Sequence, residues 1–268
     1  MGVWNRDSSR LAPLTDAGAV RISSVSQAFA SSGVVLSVLA NDAAFREVVL
    51  DSGVLAGAAE GLVHTNMATL SPDLVREAAA AHAAAGVGYV ASPMFGPPPL
   101  AEAGALNIIT AGAPAAVARV QPFLAAISAK VWPLGAIPEQ ANLVKVAGNL
   151  VVSSAIQVLS EAVSLAERGG IDARWLVDML TSTIVPGPVY ATVGERIATS
   201  RYTPVGFSAV GGRKDVDLAR SAAAAYDLQL PFADPLSGML TEVIDAGHGQ
   251  QDWTQLAELQ RRRFLSAL

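Results

Sequence analysis

The chain of 268 residues contains no cysteine, which excludes a disulfide framework and a thiolate metal site. Its three histidines, His64, His82 and His248, lack the close spacing of a zinc site. Charged residues are scarce at 15%, against 51% apolar residues. That balance supplies a sizeable core and excludes a disordered chain. The net charge of -5 argues against a nucleic-acid-binding surface while leaving room for a local phosphate site. Residues 1–10 are polar and no apolar h-region follows, so no signal peptide is expected. The alanine-rich stretches are interrupted by charges and glycines and are expected to fall short of a membrane span. The expected compartment is the cytoplasm, with neither nucleic acid nor membrane as a partner.

In the first half, short apolar runs alternate with helical patterns. Residues 2–4, 34–39, 62–66, 88–91, 106–111 and 130–134 read as strands, and residues 19–22 form a further short apolar run. Residues 24–32, 43–50, 71–85 and 114–127 read as helices. Ser71 fits an N-cap and Pro72 the first helical position. Residues 92–100 read as a proline-rich loop. Strands alternating with helices imply a parallel sheet covered on both faces. From Pro138 the pattern changes. Residues 140–168 form one long apolar helical stretch, and residues 172–181, 189–200, 214–226, 231–247 and 253–268 follow as helices. The predicted fold class is α/β, with a parallel-sheet domain over residues 1–137 and an all-α domain over residues 138–268.

Ligands of open parallel sheets bind at the carboxyl ends of the strands, which directs attention to residues 5–6, 39–41, 67–69 and 92–99. On the long helix, Lys145 and Asn149 are four residues apart and share a face. Their neighbours are apolar, and a partly desolvated lysine is suited to proton transfer. From the helix alone, a snorkelling lysine beside a helix-surface asparagine is the better reading.

Five segments in order change that preference: VWNRD (residues 3–7), NMATLSP (66–72), SPMFGPP (92–98), QANLVKVAGN (140–149) and GRKDVDLA (212–219). With them the chain resembles the β-hydroxyacid dehydrogenases. These include 3-hydroxyisobutyrate dehydrogenases and glyoxylate/succinic semialdehyde reductases, with imine reductases as a more distant branch. The resemblance implies a Rossmann-type NADP(H)-binding domain, an all-α substrate and dimerisation domain, and hydride transfer between a nicotinamide and a carbonyl or alcohol. It implies that Lys145 is the general acid/base and that Asn149 hydrogen-bonds the same substrate. It places Asn5 and Arg6 at the end of the second strand of the dinucleotide fold, where an arginine suits the 2′-phosphate of NADP(H). NAD(H) is the weaker candidate, and Asp7 directly after Arg6 tempers the preference. Leu39 and Ala40 pass beneath the cofactor, Thr69 lies near the nicotinamide ribose, and Lys214, beside Asp215, opens a C-terminal helix on the cofactor side. Met94, Phe95 and Gly96 occupy the substrate loop. The competing readings are an exposed polar turn for Asn5 and Arg6, a cap-supporting threonine for Thr69, and a charged helix start for Lys214. The three histidines are given no role and no partner, and no metal is expected. A homodimer through the all-α domain is expected, because the helix over residues 143–165 has more apolar surface than one small domain covers.

Two departures from the family pattern stand out. No G-x-G-x-x-G occurs anywhere in the sequence, although the resemblance implies a strand, that glycine turn and a helix ahead of VWNRD. The fold class is therefore an N-terminally truncated Rossmann-type sheet domain. A start assigned roughly 30 residues late, the length of one strand-turn-helix, or trimming is the preferred explanation. The other explanation is evolved loss, which would leave a hole in the sheet. The second departure is in the substrate loop. The family's serine-glycine-glycine is replaced by Phe95, Gly96 and Pro97, and Ala68 replaces a usual serine. Those changes remove hydroxyl and N–H donors and suit a larger or less polar substrate. The alternatives are imine reductase-like activity and a catalytically silent helical dimerisation or binding remnant.

Overall fold

The computed structural model describes residues 1–31 and 33–263. The chain separates into two compact units, residues 1–145 and 146–268. The first contains β1 (Gly2–Val3), α1 (Ala12–Asp16), β2 (Val20–Arg21), α2 (Val25–Phe29), β3 (Val34–Ser37), α3 (Asp42–Phe45), β4 (Val63–Asn66), α4 (Pro72–Ala84), β5 (Gly88–Ala91), β6 (Met94–Phe95), α5 (Pro98–Glu102), β7 (Leu106–Gly112), α6 (Pro114–Ala126) and β8 (Ser128–Gly135). It also holds the start of α7 (Pro138–Arg168), which continues into the second unit. The second unit adds α8 (Ala173–Thr183), α9 (Pro188–Ala198), α10 (Ala209–Ala224), α11 (Ala233–Val243) and α12 (Leu256–Arg262).

Six strands form the main sheet in the order β3-β4-β5-β7-β6, with β8 beside β7. The β3–β4, β4–β5 and β7–β8 pairs are parallel, with Val34 opposite Val63 and Val63 opposite Gly88. The expected parallel sheet is present in these three pairs, and β7 departs from it by running antiparallel to both β5 and β6. Parallel strands need a crossover that spans the sheet face. Between β5 and β7 the proline-rich segment supplies only β6 and the five-residue α5, which return the chain antiparallel. Residues 92–100 are thus partly strand and helix, not a plain loop. β1 and β2 pair in parallel with each other as a separate two-stranded sheet.

Alternation along the strands explains the two cores. Tyr89, Ala91, Ile109 and Ala111 face one side, with Leu74, Val75 and Ala78 of α4. Val63, Val90, Ile108 and Leu106 face the other, with Ala116, Val120 and Leu124 of α6 at helical spacing. Both faces of the sheet are therefore covered. α4 begins as its sequence predicts: the Ser71 hydroxyl accepts the Leu74 N–H at 3.2 Å, and Pro72 occupies the first turn. Ser24 caps α2 and Asn41 caps α3 in the same way. Position 32, the predicted end of the α2 helix, and residues 264–268 of the predicted last helix lie outside the described residues.

The second unit has its own core, built from Ile156, Leu159 and Val163 of α7 with Val177, Ile197, Val216, Leu236, Leu240 and Leu256. α10 starts at Ala209 behind the Ser208 cap. Lys214 therefore sits in its second turn and does not open the helix as expected, because the short Ser208–Gly211 contact nucleates the helix earlier. By length and composition α7 is long and apolar enough to cross a membrane, contrary to expectation. Half of its most apolar window is buried within the protein.

Candidate active site

The carboxyl end of β1 carries Asn5 and Arg6. The Asn5 side-chain oxygen accepts the Asp7 N–H at 2.9 Å. Asp7 accepts the Ser9 hydroxyl and N–H at 2.7 and 3.1 Å, capping the short helical turn Ser8–Leu11. Those hydrogen bonds hold the Asp7 carboxyl below its ordinary range. Asp7 is thus tied into the turn, while Arg6 remains largely exposed, 3.6 Å from Glu47. After β3, Leu39 is half-buried against the core and Ala40 is exposed.

The segment after β4 is fixed from several directions. The Asn66 side-chain oxygen accepts the Ala68 N–H at 3.2 Å. The Leu70 N–H donates to the Asn142 side chain at 3.1 Å, and the Ser71 N–H and hydroxyl donate to Asp42 at 3.0 and 2.5 Å. Thr69 is held half-buried between these anchors. The Nδ2 of Asn142 is buried with no hydrogen-bond partner among the described residues.

Asn142, Lys145 and Asn149 follow one another at helical spacing on α7 and are all buried, Lys145 being only 8% exposed. The Lys145 Nζ lies 4.0 Å from the centroid of the Phe95 ring, a cation–π arrangement. Phe95 is fixed by β6, where it pairs with Asn107 of β7. Met94 is half-buried beside it and Gly96 is exposed. One turn further along α7, the Asn149 side-chain amide donates to Asp215 of α10. Asp215 is fully buried and also meets the Lys214 ammonium at 2.7 Å. The predicted residues therefore fall into two clusters, Lys145 with Phe95 and Asn149 with Lys214 through Asp215. Arg6 sits with Glu47 instead.

Sequence reasoning gave Asn142 and Asp42 no site role and named Asp215 only as the neighbour of Lys214. Asn142 carried a readable signal, being three residues before Lys145 in the same motif. The expectation that His64 and His82 have no partner is overturned. His64 Nδ1 and His82 Nε2 are 2.8 Å apart, with Ser37 Oγ 2.7 Å from His64 Nε2 and the Ala78 carbonyl 2.6 Å from His82 Nδ1. The partners lie 18 and 27 positions away along the chain, across parallel strands and a helix. With Ala78 accepting from His82, every group in the file is satisfied when both rings are neutral. Burial pushes His82 down to about 4 and His64 well below its ordinary value.

A sheet unit with polar groups at its strand ends carries a buried lysine near the start of α7, the helix that continues into the helical unit, and this arrangement is compatible with a dinucleotide-dependent oxidoreductase. Residues 1–135 match the profile of the NAD binding domain of 6-phosphogluconate dehydrogenase. Residues 140–260 match that of the NAD-binding region of NADP-dependent 3-hydroxyisobutyrate dehydrogenase. The chain belongs to this NAD(P)-dependent β-hydroxyacid dehydrogenase family and is a dehydrogenase or reductase. It is 31% identical to an uncharacterized oxidoreductase, YfjR, of Bacillus subtilis, over 95% of this chain and 89% of that protein. It is 29% identical to the L-threonate dehydrogenase of Escherichia coli K12, over 94% and 84%. The structure of a 3-hydroxyisobutyrate dehydrogenase from Salmonella typhimurium matches with a TM-score of 0.85 at 24% identity, over 96% of this chain and 90% of that one.

Proposed function

We propose that the chain is an NADP(H)-dependent oxidoreductase that interconverts a carbonyl compound and an alcohol, with Lys145 as general acid/base. The observation that carries this reading is the burial of the Lys145 ammonium on an apolar helix, beside a half-buried substrate loop of the same unit. A cationic amine in such surroundings donates a proton readily to an oxygen that is gaining negative charge. In the reduction, the cofactor when bound supplies hydride, and with it both electrons, to the carbonyl carbon. The Lys145 ammonium gives its proton to the carbonyl oxygen, and the neutral amine regains a proton from solvent. In the oxidation, the same amine takes the hydroxyl proton. Asn149, oriented by its bond to Asp215, is assigned to the substrate oxygen or its neighbour.

The residues present fit the two ends of the cofactor. Arg6 offers an exposed guanidinium for a 2′-phosphate, its 3.6 Å pairing with Glu47 lying at an exposed surface, while Asp7 is engaged in capping the Ser8–Leu11 turn. Leu39 and Ala40 offer an apolar surface. Thr69, with the unpartnered Asn142 amide nearby, offers polar groups for the nicotinamide half. Lys214 is assigned to the cofactor side, steadied by Asp215. Met94, Phe95 and Gly96 line the substrate side. None of these residues forms the glycine-rich cradle that dinucleotide folds use for a pyrophosphate. One profile match is to an NADP-dependent enzyme, which supports the same cofactor.

Assembly as a homodimer through the helical domain completes the proposal. Val144, Val151, Val158 and Leu165 recur every seventh residue along α7, and all are exposed. Such a stripe is the pattern a helix presents to a partner helix.

Titration with NADPH and NADH, followed by nicotinamide fluorescence, tests the cofactor assignment. NADPH should bind more tightly, and Arg6→Ala should lose about tenfold for NADPH, the worth of one charge-assisted contact, with little change for NADH. Tighter binding of NADH would refute the role of Arg6.

A further inference from the structure

We infer that Phe95 is a specificity-determining residue: its ring face seats the Lys145 ammonium, and it directs the site toward small carbonyl compounds that carry no carboxylate. The inference rests on the assignment of Lys145 as proton donor and goes beyond it by naming the substrate class.

Any carbonyl oxygen that reaches Lys145 Nζ must enter beside the Phe95 ring, whose centroid is 4.0 Å away. An aromatic face carries partial negative charge, so it attracts the ammonium and disfavours an anion. The ring is not free to swing aside. The Phe95 backbone is paired with Asn107 in the β6–β7 ladder, and its side chain packs on the sheet core. Gly96 continues in a left-handed region at φ +142°, and a Cβ there would come within 2.7 Å of Leu106. The position next to Phe95 therefore cannot easily supply a side-chain donor in its place.

The rest of the loop is equally poor in anion-binding groups. Residues 93–101 include no charged side chain and no hydroxyl. Pro97, Pro98 and Pro99 have no N–H to offer. Ser92 has a hydroxyl, but it is fully buried, accepts from Thr65 at 2.8 Å and lies 3.4 Å from Thr110. A carboxylate placed against this loop would lose water without gaining donors from it, whereas an alkyl or aryl group would pack on Phe95, Met94 and the prolines.

Two four-carbon aldehydes, butanal and succinic semialdehyde, differ chiefly in the terminal carboxylate and serve as probes. With NADPH, wild type should show the higher kcat/KM for butanal by about tenfold or more, the usual worth of a hydrogen bond to a charged group. Phe95→Ser should shift the ratio toward succinic semialdehyde by a similar factor, while Phe95→Tyr should keep the wild-type order. A wild-type preference for succinic semialdehyde, or an unchanged ratio in Phe95→Ser, would overturn the inference. NMR of reductively 13C-methylated protein reads the same contact without turnover. The sequence has only three lysines, Lys130, Lys145 and Lys214, assignable by Lys→Arg variants. The Lys145 methyl signal should be shifted upfield by the ring and return toward the free value in Phe95→Leu. Added butanoate should leave that signal in place in wild type and displace it in Phe95→Ser. Failure of both aldehydes to react would count against the proton-donor assignment, whereas a Lys145 signal identical in wild type and Phe95→Leu would overturn the role of Phe95.

Discussion

Acid should destabilise this protein well above the pH at which carboxylates titrate, because the His64–His82 file is buried neutral. In the unfolded chain each imidazole takes up a proton near pH 6.5. In the folded chain His82 does so only near about 4, and His64 is held well below 6.5. A base whose folded-state pKa is lowered contributes fully above the unfolded value. That contribution is lost as pH falls below 6.5, until the folded value is reached. His82 therefore removes about 1.4 kcal/mol per pH unit below 6.5, and His64, buried beside it, adds to the slope in the same direction. Between pH 7 and pH 5 the His82 loss alone is about 2 kcal/mol, a substantial part of the roughly 5–15 kcal/mol that holds a domain folded, and His64 adds to it. The carboxyls lowered by their partners, Asp7, Glu77 and Glu258, act chiefly below this window. Urea unfolding monitored by circular dichroism at pH 7, 6 and 5, at one fixed protomer concentration, measures the slope. His82→Gln, whose amide can donate to Ala78 and accept from His64, should reduce the slope by about 1.4 kcal/mol per unit. A stability that stays flat from pH 7 to pH 5 would refute the buried neutral pair.

Two further substitutions test how the site is held. Asn142→Ala strands the buried Leu70 N–H, so it should cost about 1–3 kcal/mol in urea unfolding and speed hydrogen exchange at Leu70. Gly112→Ala places a Cβ within 2.8 Å of the Tyr89 carbonyl, where only the backbone can yield. It should cost about 1–3 kcal/mol in the same assay.

Much of the fold was legible because local signals and burial agreed. Ser71 and Pro72 fix the start of α4, the run at β3 is uniformly β-rich, and the apolar spacing of α7 is sustained over 31 residues. The direction of β7 was not legible. It depends on whether α5 crosses the sheet, and a proline-rich stretch reads as a loop whichever way the chain leaves it. At the site, Lys145 and Asn149 were visible because four residues is one helical turn. The Lys145–Phe95 contact spans 50 positions, and no local periodicity records a pair of that kind. The same holds for His64 with His82, where a strand residue meets a helix residue. Asp215 was legible as a charge, but only the fold shows it to be fully buried between Asn149 and Lys214.

The central claim is that the Lys145 amine moves the proton. Single-turnover reduction of butanal at saturating NADPH, comparing wild type with Lys145→Met, tests it most directly. The account predicts a loss of about 10²- to 10⁴-fold in the rate of nicotinamide oxidation with NADPH affinity unchanged. A variant that oxidises NADPH at the wild-type rate would contradict it.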